Sequence, residues 1–168
     1  MADNIRVGDF TMNIATLEPA TRERLAQILK AKKLDALMEV RNPFDINPGA
    51  DDEAHMDCTA ALAEDPNVDA VVTGMDPSSP MIMSLEESSR PGFDINNERS
   101  QTHTLPKLVA ETEKPIVGII EGGSRYDKFA EKVMNQEVCT FRSCERGVHA
   151  LARYVEGRLN AARIRNKS

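Results

Sequence analysis

Polar and apolar positions along the chain follow two rhythms that alternate. From Glu18 the period is helical: Leu25, Ile28 and Leu29 share a face, with Arg22, Glu23, Arg24 and Lys30 around it. Ala36-Leu37-Met38-Glu39-Val40 is short, apolar and bounded by charge, which predicts a strand. A second helix is predicted over about 51–64, with Ala54, Cys58, Ala61 and Leu62 as its buried stripe. Asp51, Asp52 and Glu53 fall in its first turn, where negative charge complements the helix dipole. Asp65-Pro66-Asn67 then turns the chain into 68–74, where Val68, Ala70, Val71 and Val72 read as a strand covered on both faces. Pro115-Ile116-Val117-Gly118-Ile119-Ile120 repeats that pattern. Phe129, Ala130, Val133 and Met134 follow at helical spacing, and Val138-Cys139-Thr140-Phe141 predicts a further short strand. The last helix, about 143–159, has Val148, Leu151, Ala152, Val155 and Leu159 on one side.

Strands that alternate with helices imply right-handed crossovers and a parallel sheet covered by helices. The expected fold is therefore flavodoxin-like, a three-layer α/β/α arrangement on a mostly parallel sheet of about four to five strands. Residues 84–104, including Glu86-Glu87-Ser88-Ser89-Arg90-Pro91-Gly92, break the rhythm. They read as an inserted surface loop with one turn of helix at its start, long enough to be mobile, functional or an interface. Residues 1–15 have no strong period and read as a lead-in or interdomain segment. The domain proper spans 16–160, and 161–168 is a basic tail, Arg163-Ile164-Arg165-Asn166-Lys167 within it, read as a frayed end.

With 168 residues the chain has room for one ordinary domain, and 40% apolar residues support a packed core. A formal net charge of −6 argues against nucleic acid as a partner, since nucleic-acid binders present a basic face. No apolar run approaches the roughly 20 residues that span a bilayer. The polar, acidic Met1-Ala2-Asp3-Asn4 does not resemble a signal peptide. Three cysteines are too few and too irregularly spaced for a disulfide scaffold, so a reducing cytoplasm is the expected setting.

In open parallel sheets ligands bind beyond the carboxyl ends of the strands. Three loops are expected to converge there: 42–49, 75–80 and 121–125. In the third, Gly122 and Gly123 can bring backbone N–H groups to an anion, Ser124 can cap the following helix, and Arg125 is a fork for phosphate or carboxylate. The same residues also suit a plain strand-to-helix turn, and the spacing is neither a dinucleotide fingerprint nor a P-loop. In the second, Ser79 as N-cap with Pro80 at the first helical position predicts a helix start, and with Ser78 it offers phosphate contacts. In the first, Asn42 and Asp45 are expected to hydrogen-bond backbone and fix the turn, with a direct catalytic role for Asp45 the lesser alternative. His55, His103 and His149 share no metal-ligand spacing with each other or with the cysteines, so no metal site is expected. Cys144, between Arg142 and Arg146 near a helix start, has neighbours that favour its thiolate, but its place among core positions makes a plain buried thiol the preferred reading.

Four segments carry a resemblance to a known family. Leu17-Glu18-Pro19-Ala20-Thr21 leads into an amphipathic helix, and Asn42-Pro43-Phe44-Asp45 with Gly49-Ala50 forms a loop. Ala-Leu-Ala-Glu-Asp-Pro-Asn-Val-Asp-Ala-Val-Val over 61–72 is a helix–turn–strand. The closing half reads Lys114-Pro115-Ile116-Val117-Gly118, Gly122-Gly123, Cys139-Thr140-Phe141-Arg142-Ser143 and Arg146-Gly147-Val148. In this order, over about 17–159, they resemble the last flavodoxin-like CoA-ligase domain of the NDP-forming (ADP-forming) acyl-CoA synthetases, the superfamily of succinyl-CoA synthetase.

The resemblance implies a reaction in which acyl-CoA, NDP and phosphate give free acid, CoA and NTP through an acyl phosphate and a phosphohistidine. That histidine lies in a companion domain; the loop 121–125 has none, so no catalytic residue is expected here. The family's glycine-rich loop is replaced at 75–80 by serines and prolines. CoA, NDP/NTP and Mg are implied for the complete enzyme, none of them held firmly by this domain. The implied partners are CoA-binding and ATP-grasp domains or subunits, with a homo-oligomer also open. Asn42, Asp45, Ser78, Ser79, Gly122, Gly123 and Arg125 are the expected interface or phosphate-contacting positions. The alternative is a non-catalytic flavodoxin-like module that binds a nucleotide or a partner. An FMN-binding flavodoxin fits less well, because the chain has no Trp and only Tyr126 and Tyr154 to sandwich a flavin.

Overall fold

The computed structural model describes residues 4–7 and 10–166. The ends of the lead-in and of the tail, 1–3 and 167–168, lie outside the described residues. The elements are β1 (Asn4–Val7), β2 (Phe10–Asn13), α1 (Pro19–Ala31), α2 (Asp52–Glu64), β3 (Val71–Met75), α3 (Gln101–Glu111), β4 (Ile116–Ile120), α4 (Asp127–Met134), β5 (Thr140–Phe141) and α5 (Cys144–Arg165). A 3-10 turn, Ser124–Tyr126, precedes α4. β3, β4 and β5 form a parallel sheet in that order, with Val71 opposite Ile116 and Gly118 opposite Thr140. This is the flavodoxin-like α/β class expected, on a parallel sheet of three strands.

Coverage of the sheet follows the period-2 alternation of strand side chains. All five residues of β4 are buried. Ile116 and Ile120 enter the main core with Cys58, Leu105 and Phe129, whereas Val117 and Ile119 pack on Leu151, Phe141 and Val155 of the α5 side. α5 approaches β4 closely at Gly147, where an added Cβ would lie 2.3 Å from the Ile119 side chain. β3 differs from its expected two-sided burial. Val71, Thr73 and Met75 are buried, but Val72 is 38% exposed, because only one face of this edge strand is well covered.

Other departures have local causes. The predicted strand at 36–40 does not pair: the Leu37 N–H bonds the Leu34 carbonyl in a turn and the Leu37 side chain is 65% exposed. Val40, Phe44 and Ile46 still rest against the core from an extended segment. The lead-in forms an antiparallel hairpin, β1–β2. The tail is helical through Arg165, and the Arg163 guanidinium sits 4.7 Å from the centre of the Phe10 ring. No helix starts at Ser79–Pro80; that segment is a chain of turns.

The segment 84–104 is ordered and has no helix at its start; its last residues belong to α3. Ser100 caps α3, accepting the Thr102 N–H, and donates to the Met83 carbonyl at 3.0 Å. Pro106 lies inside α3 and cannot donate to the Thr102 carbonyl, one turn back. Gln136, just beyond α4, supplies the missing donor at 2.6 Å.

Two buried carboxylates tie the layers together at opposite ends of α2. Asp65 accepts the Glu18 and Asn67 N–H groups at 2.9 and 2.8 Å, fixing the start of α1 and the turn into β3. Burial pushes its carboxyl up, but the Thr21 hydroxyl, those two N–H groups and the Lys114 charge outweigh it and hold the carboxyl below the usual range. Asp52 accepts the Met83 and Gln101 N–H groups, each at 2.9 Å, and so anchors both ends of the 83–101 segment to α2. Here burial wins over the hydrogen bonds and raises the carboxyl. Asp52→Ala, which orphans two buried N–H groups, is expected to cost about 2–4 kcal/mol in urea denaturation. Asp52→Asn, which keeps one acceptor, is expected to cost less.

His55 is buried on the same helix, and burial lowers its pKa below 6.5 against the pull of the Asp51 and Asp76 charges. The unfolded chain therefore takes up this proton first as pH falls. His55 thus favours the fold fully above pH 6.5, and that preference is lost as the pH drops from there through the lowered folded value. Stability measured against pH is expected to fall over that window by up to about 1.4 kcal/mol per unit, and His55→Gln to flatten this part of the curve.

Candidate functional site

The three loops expected at the carboxyl edge of the sheet do meet there. The second follows β3, and the third follows β4. The Ser79 hydroxyl donates to the Pro48 carbonyl of the first loop at 2.8 Å and accepts the Met81 N–H, so it joins two loops instead of capping a helix. Gly122 lies against the second loop, where an added Cβ would be 3.1 Å from the Pro77 ring. Ser84 donates to the Pro77 carbonyl at 2.6 Å, locking the second loop from the other side.

Ser78 is exposed, and both its N–H and hydroxyl bond Asp76 Oδ1, at 2.9 and 2.6 Å. Asn42 Nδ2 donates to the Ala15 carbonyl at 2.9 Å, tying the loop to the segment before α1. Asp45 is exposed, and the bond that shapes this turn comes from Asn47, whose Oδ1 accepts the Gly49 N–H at 2.8 Å. Ser124 does not cap α4; Tyr126 occupies the N-cap position without a side-chain bond, and Ser124 opens the 3-10 turn.

Arg142, in the loop after β5, holds the third loop in shape. It donates to the Gly122 carbonyl at 2.6 Å and bonds the Asp127 carboxylate at 2.7 Å. The Gly122–Gly123 turn therefore turns carbonyls toward Arg142. Beside it, Glu121 Oε1 accepts the Cys144 N–H at 2.8 Å, placing a carboxylate at the amino end of α5 where Ser143 makes no side-chain cap. Burial and the Glu121 charge push the half-buried Cys144 thiol up, which suits the plain thiol expected and not the alternative of an arginine-favoured thiolate.

Ser78, Ser79 and Arg125 line one pocket of about 220 Å3 with Arg90, Phe93 and Tyr126. Asn42, Asp45, Gly122 and Gly123 lie outside its lining. Arg90, Phe93 and Arg142 were not among the expected site residues. Residues 90 and 93 fall in a polar stretch without period, and Arg142 reads as an ordinary charge at a helix start. The signal available was Arg90-Pro91-Gly92, where Gly92 takes φ +69°, a turn conformation that favours glycine. Among the described residues no three His, Cys, Asp or Glu side chains gather as a metal site. None of the described helices is long and apolar enough to cross a membrane.

No protein-family model matches the chain, and no curated protein matches it. Among solved structures, the crystal structure of PH0766 from Pyrococcus horikoshii OT3 is similar over 77% of this chain, with a TM-score of 0.59 and 22% sequence identity. The likeness covers 26% of that protein's chain. At this identity it shows the fold alone.

Arg142→Ala is expected to lower stability by less than about 1 kcal/mol, since the ion pair is partly solvated. Its effect should appear locally: the Tyr126 amide, bonded to the Gly123 carbonyl at 3.1 Å, is expected to exchange faster with deuterium while the β4 amides stay unchanged.

Proposed function

We infer that this chain is the ligase domain or subunit of an NDP-forming acyl-CoA synthetase, inactive alone. The complete enzyme converts acyl-CoA, NDP and phosphate into acid, CoA and NTP by way of an acyl phosphate and a phosphohistidine. The observation that carries the reading is the meeting of the three loops on one edge of the sheet. The first and third contain part of the sequence resemblance, Asn42–Asp45 with Gly49 and Gly122–Gly123, and all three are cross-linked through Ser79–Pro48 and Gly122–Pro77.

This edge offers polar backbone, Ser78 and Arg125, but no histidine in any of the three loops. A companion domain therefore brings the phosphorylated histidine to it. Arg125 and Ser78 then serve to neutralise and orient a phosphoryl group, which is positioning chemistry. CoA-binding and ATP-grasp domains or subunits are the proposed partners, and CoA, nucleotide and Mg belong to their sites. The cytoplasm, where acyl-CoA and nucleotide meet, is the proposed setting.

The test is reconstitution. The chain is assayed for NTP formation from acyl-CoA, ADP or GDP, and phosphate, alone and co-expressed with CoA-binding and ATP-grasp subunits. Activity is expected only in the combination, with Arg125→Ala lowering kcat by about tenfold or more. Turnover by the isolated chain, or a failure of the chain to associate with such subunits, would overturn the reading.

A further inference from the structure

Three arginines of this acidic chain pair with carboxylates among the described residues: Arg24 with Glu64, Arg142 with Asp127 and Arg153 with Glu156. Two arginines that line the same pocket do not. Arg125 is exposed and has no hydrogen-bond or ion-pair partner among the described residues. Arg90 bonds only a neutral acceptor, the Pro80 carbonyl at 2.6 Å, through one nitrogen. Its guanidinium carbon lies 3.3 Å from the centre of the Phe93 ring, so the fork is held flat while its other N–H groups stay available. Ser88 accepts the Arg90 N–H at 3.1 Å and keeps its hydroxyl proton to donate.

No Asp or Glu lines this pocket, and Ile82, Leu85 and Phe93 supply apolar wall. Two exposed guanidinium groups without a carboxylate partner among the described residues, beside a partly apolar cavity, make a site for negative charge. At about 220 Å3 the pocket is smaller than the ~300–1,000 Å3 of drug-sized sites, which limits the occupant to about one ring.

We propose that this pocket binds a small organic anion, a carboxylate or phosphate monoester on a compact apolar body. The anion lies between Arg90 and Arg125, and its body rests against Phe93 and Leu85. The site is built within one chain and needs no companion subunit. It shares Arg125 and Ser78 with the proposed phosphoryl contact; its failure would remove that contact but leave the assembly with companion subunits, tested by reconstitution, standing.

The full chain is titrated with phenylacetate, phenyl phosphate and the neutral phenylacetamide, followed by amide chemical shifts. At least one anion is expected to saturate and to move the amides of 77–93 and 125–126, with phenylacetamide about tenfold weaker or more. Tighter phenylacetate assigns a carboxylate ligand and tighter phenyl phosphate a phosphate monoester; either carries the proposal. Arg125→Gln, at an exposed side chain without partners among the described residues, is expected to leave the melting temperature unchanged and to weaken the anion about tenfold. Arg90→Gln is expected to weaken it further. The proposal is overturned if neither anion saturates, if phenylacetamide binds as tightly as the anions, or if Arg125→Gln binds them as the unmodified chain does.

Discussion

The carboxylate of Asp52 is the constraint on which the ligand-side edge depends. It sits at the first residue of α2, buried, and receives two backbone N–H groups 31 and 49 residues away. A chain leaving β3 at Met75 must travel to α3 at Gln101 without regular structure. Such a length would normally wander. Here both its far end, Gln101, and Met83, about a third of the way along, return to one carboxylate, and Ile95, buried at 4% exposure, pins the excursion between them. The cost of burying that charge is offset by an ordered rim on the sheet.

Much of the fold was legible because hydrophobic periodicity reports the face on which a residue is buried. The helix at 51–64, the strand at 116–120 and the terminal helix follow from it. What escaped has physical reasons. The run 36–40 is apolar enough for a strand, yet the left-handed turn at Lys33 and the bond from Leu37 to Leu34 spend its start on a reversal. α3 was hidden by two threonines and a proline, residues that disfavour helix interiors. No local pattern could reveal that Ser100, Asp52 and Gln136 compensate for them.

The candidate site was legible as a set of loops and not as a set of contacts. That the strand ends converge follows from parallel topology alone. Which side chains then face one another depends on long-range bonds, such as Ser79 to Pro48 or Arg142 to Gly122, that join residues 31 and 20 positions apart. Ser79 looked like a helix cap because its neighbours suit one; its hydroxyl went to another loop. Arginines flank Cys144 in sequence, but the bond its N–H makes is to the Glu121 carboxylate, 23 residues away.

The proline inside α3 gives that helix an unusual dependence. In most helices each carbonyl is satisfied from within, so the helix can persist when its neighbours leave. The Thr102 carbonyl is satisfied from 34 residues away, by the side chain that follows α4. When α4 departs, α3 is left with a hole in its own ladder. Loss of α4 is therefore expected to weaken α3 as well, so that opening on one side of β4 in sequence is felt on the other.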